Sequence, residues 1–130
     1  MREIEFRGKA KFDDDMWIYG YYKYNRKNNL ARIEWVNDFG EWSDEFVIPE
    51  TVGQYTGLKD KNGVKIFEGD IILWPSDANV YAVVYITEVA SFVGRCKTKN
   101  DFEYLDNGIG ENQSLKVIGN IHDNSELFDI

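Results

Sequence analysis

Side chains that could perform covalent chemistry are scarce in this chain of 130 residues, which contains one cysteine and one histidine. The simplest catalytic set would use Cys96 as nucleophile, His122 as base and a carboxylate such as Asp70 to orient the base. Cys96, however, follows the largely apolar segment 91–95, which is typical of a small buried side chain. One histidine and one cysteine are also too few for a tetrahedral zinc site of imidazole and thiolate ligands. We therefore expect no catalytic residue, no metal site and no cofactor.

Carboxylates are abundant, and two groups of them lie close together in the sequence. Asp13, Asp14 and Asp15 could offer oxygen ligands to a divalent cation. Adjacent side chains of an extended segment point in alternating directions, so we interpret this run as a solvated turn between two strands. Glu68 and Asp70 could share one face of a bend, but acid–base catalysis needs two carboxylates in different environments. The glycine between them indicates a turn instead.

The charge balance limits which partners the chain can bind. It carries 15 Lys and Arg against 23 Asp and Glu, a formal net charge of -8. Excess carboxylates repel phosphates, whereas nonspecific nucleic-acid binding needs clustered cations, so we expect no direct nucleic-acid binding. The same charge leaves open an acidic DNA mimic that occupies a nucleic-acid-binding protein. The longest apolar run, 80–86, is too short to cross a bilayer, and we expect no membrane association.

Aromatic residues make up 15% of the chain and concentrate in its first third. Trp17, Tyr19 and Tyr21 alternate along one predicted strand and therefore share a face, and Trp42 begins another predicted strand. Aromatic side chains both fill protein cores and dominate protein interfaces. Two interpretations remain open: core and cross-strand packing, or a protein-contact surface formed by Trp17, Tyr19, Tyr21 and Trp42. Such a surface could also serve self-association into a homo-oligomer.

The alternation of apolar and polar residues dominates the rest of the chain and indicates strands with one wet face. Nine or so short strands separated by turn residues are typical of an all-β barrel or sandwich. The clearest predicted strands cover 30–36, 42–48, 71–74, 80–89, 91–98, 101–105 and 115–121. One or two helical turns are predicted from Pro49, which suits the first helical position, to Gly57, which can end a helix in the left-handed conformation.

We predict an all-β fold with a partly open barrel, SH3-like or related, an N-terminal β-hairpin extension and one or two short helical turns. The length suits a single domain over 1–130, with a soft internal boundary near 52–58. Asn62 and Gly63 favour the positive φ angles of a tight hairpin turn. Near the end of the chain, 123–126 is similar to a capping box, in which Asp and Glu side chains bond backbone N–H groups.

The segment 52–72 resembles the signature of the YopX family of phage and prophage proteins, and two flanking segments support the resemblance. The opening 2–8 with 17–20 is similar to the family's start, and 117–127 is similar to its end. The family usually has Tyr-Glu-Asn-Pro where this chain has His-Asp-Asn-Ser at 122–125. The residues that carry the central signature are Gly53, Tyr55, Gly57, Asp60, Asn62, Gly63, Glu68, Gly69 and Asp70.

The resemblance implies a context more than a mechanism. It implies a small accessory protein of a bacteriophage or prophage, located in the cytoplasm of the bacterial host, with no catalytic residues to carry over. The signature itself predicts structure, since Gly57, Gly63 and Gly69 recur where backbone turns need permissive φ angles. The leading hypothesis is a non-enzymatic protein that binds an unknown protein partner. The acidic DNA mimic is the alternative, and an enzyme with an unrecognised site is the third.

Overall fold

A computed structural model of the protein describes residues 3–74, 79–96, 102–105 and 115–128, without the side chain of Asp14. Its fold is all-β, as predicted. The described residues form eleven strands: β1 Phe6–Ala10, β2 Asp13–Asn25, β3 Leu30–Val36, β4 Trp42–Val47, β5 Gly53–Lys59, β6 Lys65–Phe67, β7 Asp70–Trp74, β8 Asn79–Ile86, β9 Ser91–Cys96, β10 Phe102–Tyr104 and β11 Lys116–Asn120. Short 3-10 turns occur at Pro49–Thr51, Thr87–Val89 and Ser125–Leu127. No helix of the described residues is both long enough and apolar enough to span a membrane.

The chain divides into two compact units, Met1–Tyr55 and Thr56–Ile130, called here the N-terminal and the C-terminal unit. The division lies inside β5 and within the boundary predicted near 52–58. The first part of β5 pairs with β1. The same strand continues into the C-terminal unit, where β6 is its neighbour. One strand thus contributes to both units.

The N-terminal unit contains an antiparallel sheet with the strand order β2-β3-β4-β1-β5. Because β1 also pairs with β2, the sheet is partly closed on itself. Strand alternation directs one set of side chains inward. Their buried cluster consists of Ala10, Ile18, Ala31, Ile33 and Val47, with Phe6, Tyr22, Trp35 and Val52 packed against it.

The C-terminal unit contains a second antiparallel sheet with the order β10-β9-β8-β7-β11. The apolar strand β8 lies at its centre, as its two-sided apolar pattern predicts. The buried cluster consists of Ile66, Ile72, Trp74, Tyr81, Val83, Cys96, Leu105 and Leu115. Strand β8 ends at Ile86 rather than at 89, because the chain turns into a 3-10 segment and Ala90 adopts a left-handed conformation.

The helical prediction that starts at Pro49 is wrong beyond its first turn. The 3-10 turn ends at Thr51, whose hydroxyl donates to the Ile48 carbonyl at 2.7 Å. Gly53 then pairs with Arg7 of β1, so sheet hydrogen bonds replace helical ones. Gly57 has a positive φ of 88° as predicted for a helix end, but it lies inside β5.

The turn predicted between the first two strands is present, but it excludes the aspartates 13–15. Strand β2 begins at Asp13, and the chain reverses at Lys11 and Phe12 instead. The Cα of Ala10 pairs with that of Asp13, next to an irregularity in the β1–β2 register. Pairing with β1 therefore places Asp13 in a strand despite the turn tendency of aspartate.

Candidate protein-contact surface

The middle of the central signature folds into a turn of the C-terminal unit that is built around one buried carboxylate. Asp60 is 7% exposed. Its Oδ1 accepts hydrogen bonds from the backbone N–H groups of Asn62 and Val64 at 2.8 and 3.0 Å. Its Oδ2 accepts a third from the N–H of Val117 in β11, at 3.0 Å. Gly63 closes the turn by donating its N–H to the Asp60 carbonyl at 3.0 Å. The carboxylate thus holds the turn against β11.

The same hydrogen bonds set the ionisation of this carboxylate. Burial alone raises the pKa of Asp60, because it removes water from the charged form. The N–H donors of Val117, Val64 and Asn62, together with the charge of Lys116, outweigh burial and hold the pKa below its ordinary value. Asp60 is therefore ionised at neutral pH, and its three N–H donors stabilise the charged form.

The glycines of the signature supply backbone conformations rather than chemistry. Gly57, Gly63 and Gly69 have φ angles of 88, 80 and 94°. At Gly63 this left-handed conformation lets the chain reverse between β5 and β6, and any side chain would be strained there. The two earliest signature residues, Gly53 and Tyr55, lie in the N-terminal unit and align β5 with β1. Gly53 pairs with Arg7 of β1, and the N–H of Tyr55 donates to the carbonyl of Glu5, just before β1, at 2.8 Å.

Asp70 at the end of the signature is a second structural carboxylate. It is 2% exposed, and its Oδ2 accepts a hydrogen bond from the N–H of Phe67 at 2.7 Å. Next to it, the N–H of Gly69 donates to the carbonyl of Val83 at 2.9 Å. The carbonyl of Gly69 accepts from the N–H of Ile121 at 2.8 Å. These bonds fix the bend before β7 to the segments on both of its sides.

The candidate catalytic residues lie in different local environments. Cys96 is buried in the apolar core of the C-terminal unit, as the sequence predicted for a small hydrophobic side chain. His122 is half-buried in a turn, and its backbone N–H donates to the side chain of Asn120 at 3.0 Å. Glu68 is half-buried beside the fully buried Asp70. Within the described ranges, no group of three His, Cys, Asp or Glu residues is placed to hold a metal ion.

The capping box predicted near the C-terminal end is wrong. The 3-10 turn Ser125–Leu127 has no side-chain cap hydrogen bond. Instead, Oδ1 of Asn124 accepts from the N–H of Asn120 at 3.2 Å, and Oδ1 of Asn120 accepts from the N–H groups of His122 and Asp123. Asp123 itself accepts from Nδ2 of Asn120 at 3.2 Å. The side-chain oxygens of the two asparagines therefore accept the backbone N–H groups of this turn, in place of the predicted cap.

The N-terminal sheet presents a face that points away from its core, called here the outer face. It consists of Tyr19, Tyr21 and Lys23 on β2, Arg32, Glu34 and Val36 on β3, and Trp42, Asp44 and Phe46 on β4. Several of the positions that alternate with them along the strands point inward and are buried, as at Ile18, Ile33 and Val47. Strand register aligns the outer residues into rows that run across the three strands.

One end of the outer face is aromatic. The rings of Tyr21 and Trp42 lie 6.0 Å apart between centroids and are 58% and 66% exposed. Tyr19 and Val36 are exposed beside them on the same face. Contiguous exposed apolar patches are uncommon on monomeric proteins and often mark interaction sites. Three of the four predicted contact residues, Tyr19, Tyr21 and Trp42, are thus exposed together.

Trp17, the fourth predicted contact residue, is in a different environment. It is half-buried, because the guanidinium carbon of Arg7 lies 4.7 Å from its ring centroid. Nζ of Lys9 lies 5.8 Å from the same ring. Register pairs Lys9 directly with Trp17 across β1 and β2. Cation–π stacking against β1 therefore covers this ring and removes it from the exposed aromatic end.

The middle of the outer face is polar and internally paired. Nζ of Lys23 lies 3.2 Å from Oε1 of Glu34, and a guanidinium nitrogen of Arg32 lies 3.1 Å from Oδ2 of Asp44. Exposed ion pairs of this kind contribute little to stability, about 0–1 kcal/mol. The cations here, and Phe46 beside them, were missed by the sequence analysis. The alternation along the predicted strands 30–36 and 42–48 would have placed these side chains on one face.

Comparison with known proteins decides the family. The sequence profile described as YopX protein matches residues 5–129. The chain belongs to the YopX family. The match spans nearly the whole chain, including both units and the signature built around Asp60, and it confirms the predicted membership.

A solved structure supports the fold of this YopX chain. It is similar to the crystal structure of protein EF1440 from Enterococcus faecalis, with a TM-score of 0.59 and 24% sequence identity. The likeness covers 99% of this chain and 100% of that one. Comparison with curated proteins found no match. The comparisons therefore establish family and fold.

Proposed function

We propose that this YopX protein is a non-enzymatic accessory protein that binds another protein through the aromatic end of its outer face. The observation that supports the proposal is the exposed, mutually contacting pair Tyr21 and Trp42. Tryptophan and tyrosine are the residues most enriched at the energetic centres of protein interfaces. Both lie on regular strands, whose hydrogen bonds fix the backbone that carries the rings and lower the ordering cost of an interface.

The proposed setting is the cytoplasm of a bacterium that carries a phage or prophage, as the family resemblance implies. A non-enzymatic role is supported by the structural use of the signature carboxylates Asp60 and Asp70, which accept hydrogen bonds from backbone N–H groups. The acidic DNA mimic finds little support on the outer face. There, Glu34 and Asp44 pair with cations instead of forming an uninterrupted array of carboxylates.

Replacing Tyr21 and Trp42 together with serine is expected to lower partner affinity at least tenfold, since it removes both exposed rings without touching the core. The measurement is affinity capture from prophage-bearing cells with quantitative mass spectrometry, followed by titration of the purified partner. The matched control replaces Tyr85 and Tyr104, two exposed tyrosines of the C-terminal unit, with serine.

The control variant should retain the proteins captured by the wild type. Light scattering on all three proteins separates a foreign partner from self-association, since loss of a wild-type oligomer mass only in the Tyr21→Ser, Trp42→Ser variant identifies a second copy as the partner. Equal capture and equal mass for the wild type and this variant would contradict the proposal.

A further inference from the structure

The end of the outer face opposite the aromatic end forms an open concavity of about 860 Å³. It lies at the turn between β2 and β3 and is called here the hairpin concavity. Its lining residues are Lys23, Tyr24, Asn25, Arg26, Lys27, Leu30, Arg32 and Phe46. The volume is in the range of sites that hold a small ligand or a few residues of a peptide, about 300–1,000 Å³.

The charge of this concavity is opposite to that of the chain. Its lining contains four cations and no carboxylate, although the chain carries a net charge of -8. Lys23 and Arg32 are engaged with Glu34 and Asp44 at its inner border. Arg26 and Lys27 are exposed in the turn and make no ion pair with any described residue. The concavity therefore offers two uncompensated cations at its rim.

The floor of the concavity is apolar and held in place by neighbouring groups. The guanidinium carbon of Arg32 lies 5.8 Å from the ring centroid of Phe46. The hydroxyl of Tyr24 donates to Oδ1 of Asn29 at 2.7 Å, and its ring stacks on Tyr22 at 6.3 Å. The turn is further fixed by the N–H of Lys27, which donates to Oδ1 of Asn25 at 3.0 Å. A preorganised site of this kind loses less entropy when it binds.

We propose that the hairpin concavity binds a short acidic segment of the protein partner. Carboxylates of that segment pair with Arg26 and Lys27, and an apolar side chain between them packs on Phe46 and Leu30. Arginine is suited to this role because its planar guanidinium binds a carboxylate through two hydrogen bonds. The inference rests on the proposed protein-binding function and adds the chemistry of the partner to it.

A polypeptide fits this surface better than a nucleic acid. A single strand carries a charge at every nucleotide and needs a cationic groove along its length. Beyond the concavity, the outer face continues to Glu34 and Asp44, which would repel the next phosphates and already neutralise Lys23 and Arg32. A segment with two or three carboxylates can end before it reaches them.

The test titrates the intact protein into a fluorescein-labelled hexapeptide of four glutamates around two central leucines and follows anisotropy. We expect saturable binding that weakens as salt is raised, because the contacts are exposed ion pairs. Replacing both Arg26 and Lys27 with glutamate should raise the Kd at least tenfold. The matched control, Lys59→Glu with Lys61→Glu, makes the same change in net charge at two exposed lysines of the C-terminal unit and should bind as the wild type.

Three outcomes would overturn the inference: no saturable binding of the peptide, equal loss in both charge variants, or equal binding of the same peptide with glutamine in place of glutamate. A labelled 12-nucleotide thymidine strand that binds while the peptide does not would assign the concavity to nucleic acid instead. A captured partner separates the two proposals. If it no longer binds the Tyr21→Ser, Trp42→Ser variant but still binds the Arg26→Glu, Lys27→Glu variant, the acidic-segment inference is rejected and the proposed protein-binding function is retained. Loss in neither variant rejects the proposed function as well.

Discussion

Replacing Asp60 with asparagine is expected to lower the free energy of unfolding by about 2–4 kcal/mol at neutral pH. The shape is conserved, but the amide nitrogen that replaces one carboxylate oxygen can no longer accept a hydrogen bond. It faces either the N–H of Val117 or the two N–H groups of the turn, and a buried donor is left without an acceptor. The measurement is urea unfolding followed by tryptophan fluorescence, to which the buried Trp74 in the core of the same unit contributes.

The pH dependence of this loss has a definite sign. Because the folded-state pKa of Asp60 lies below its unfolded value of about 3.9, ionisation stabilises the fold above about pH 4. That contribution disappears as the pH falls through the folded-state pKa. The stability difference between the wild type and Asp60→Asn should therefore be constant from pH 5 to 7 and shrink below pH 4.

A matched control separates the buried turn from aspartates in general. Asp13 is exposed, and its Oδ1 accepts one backbone hydrogen bond from the N–H of Asp15 at 3.3 Å. Asp13→Asn should change the unfolding free energy by less than about 0.5 kcal/mol. Equal effects at the two positions, or a loss at Asp60 that is unchanged at pH 3, would contradict the assigned role.

Replacing Gly20 with alanine is expected to cost about 3 kcal/mol, because β2 and β3 approach each other too closely at this position. A Cβ there would overlap the backbone carbonyl oxygen of Glu34 and crowd the side chain of Ile33. Backbone atoms of a paired strand cannot give way as a flexible side chain can, so the pairing itself must shift. Thermal unfolding followed by circular dichroism measures the loss.

Gly40→Ala is the comparison that isolates this steric effect. No heavy atom lies within 4 Å of a Cβ built at Gly40, but its φ of 79° disfavours any side chain. Its expected cost is therefore only conformational, about 1 kcal/mol. A Gly20→Ala variant as stable as Gly40→Ala would show that β2 and β3 are further apart than described. A large loss would also explain why a glycine separates the exposed residues Tyr19 and Tyr21.

Local patterns in the sequence predicted much of the fold. The alternation over 30–36 matches β3 in full, and Asn62 with Gly63 marks the turn that the structure contains. These succeed because strand alternation and turn chemistry depend on adjacent residues. The helix predicted after Pro49 failed for the complementary reason. Pairing of Gly53 with Arg7, distant in sequence, decides the conformation there, and no local rule includes it.

The candidate surface shows the same limit. Alternation along β2 correctly places Trp17, Tyr19 and Tyr21 on one face, but only the structure shows that a cation from β1 covers Trp17. The bond between Asp60 and Val117 joins residues 57 positions apart and could not be inferred from a turn motif. The basic concavity was missed because its cations come from two strands and a turn, whereas the net charge describes only their sum.

Strand β5 carries backbone amides of both units, so hydrogen exchange along this one strand can report the opening of each unit separately. Its first residues belong to the N-terminal unit and its later residues to the C-terminal unit. Native-state hydrogen exchange reports the local opening that exposes each amide. The amides of Tyr55 and Leu58 should therefore exchange with the N-terminal and the C-terminal unit, respectively. Gly20→Ala should accelerate exchange at Tyr55, and Asp60→Asn should accelerate it at Leu58, whereas equal acceleration of both amides by each variant would mean that the units open together.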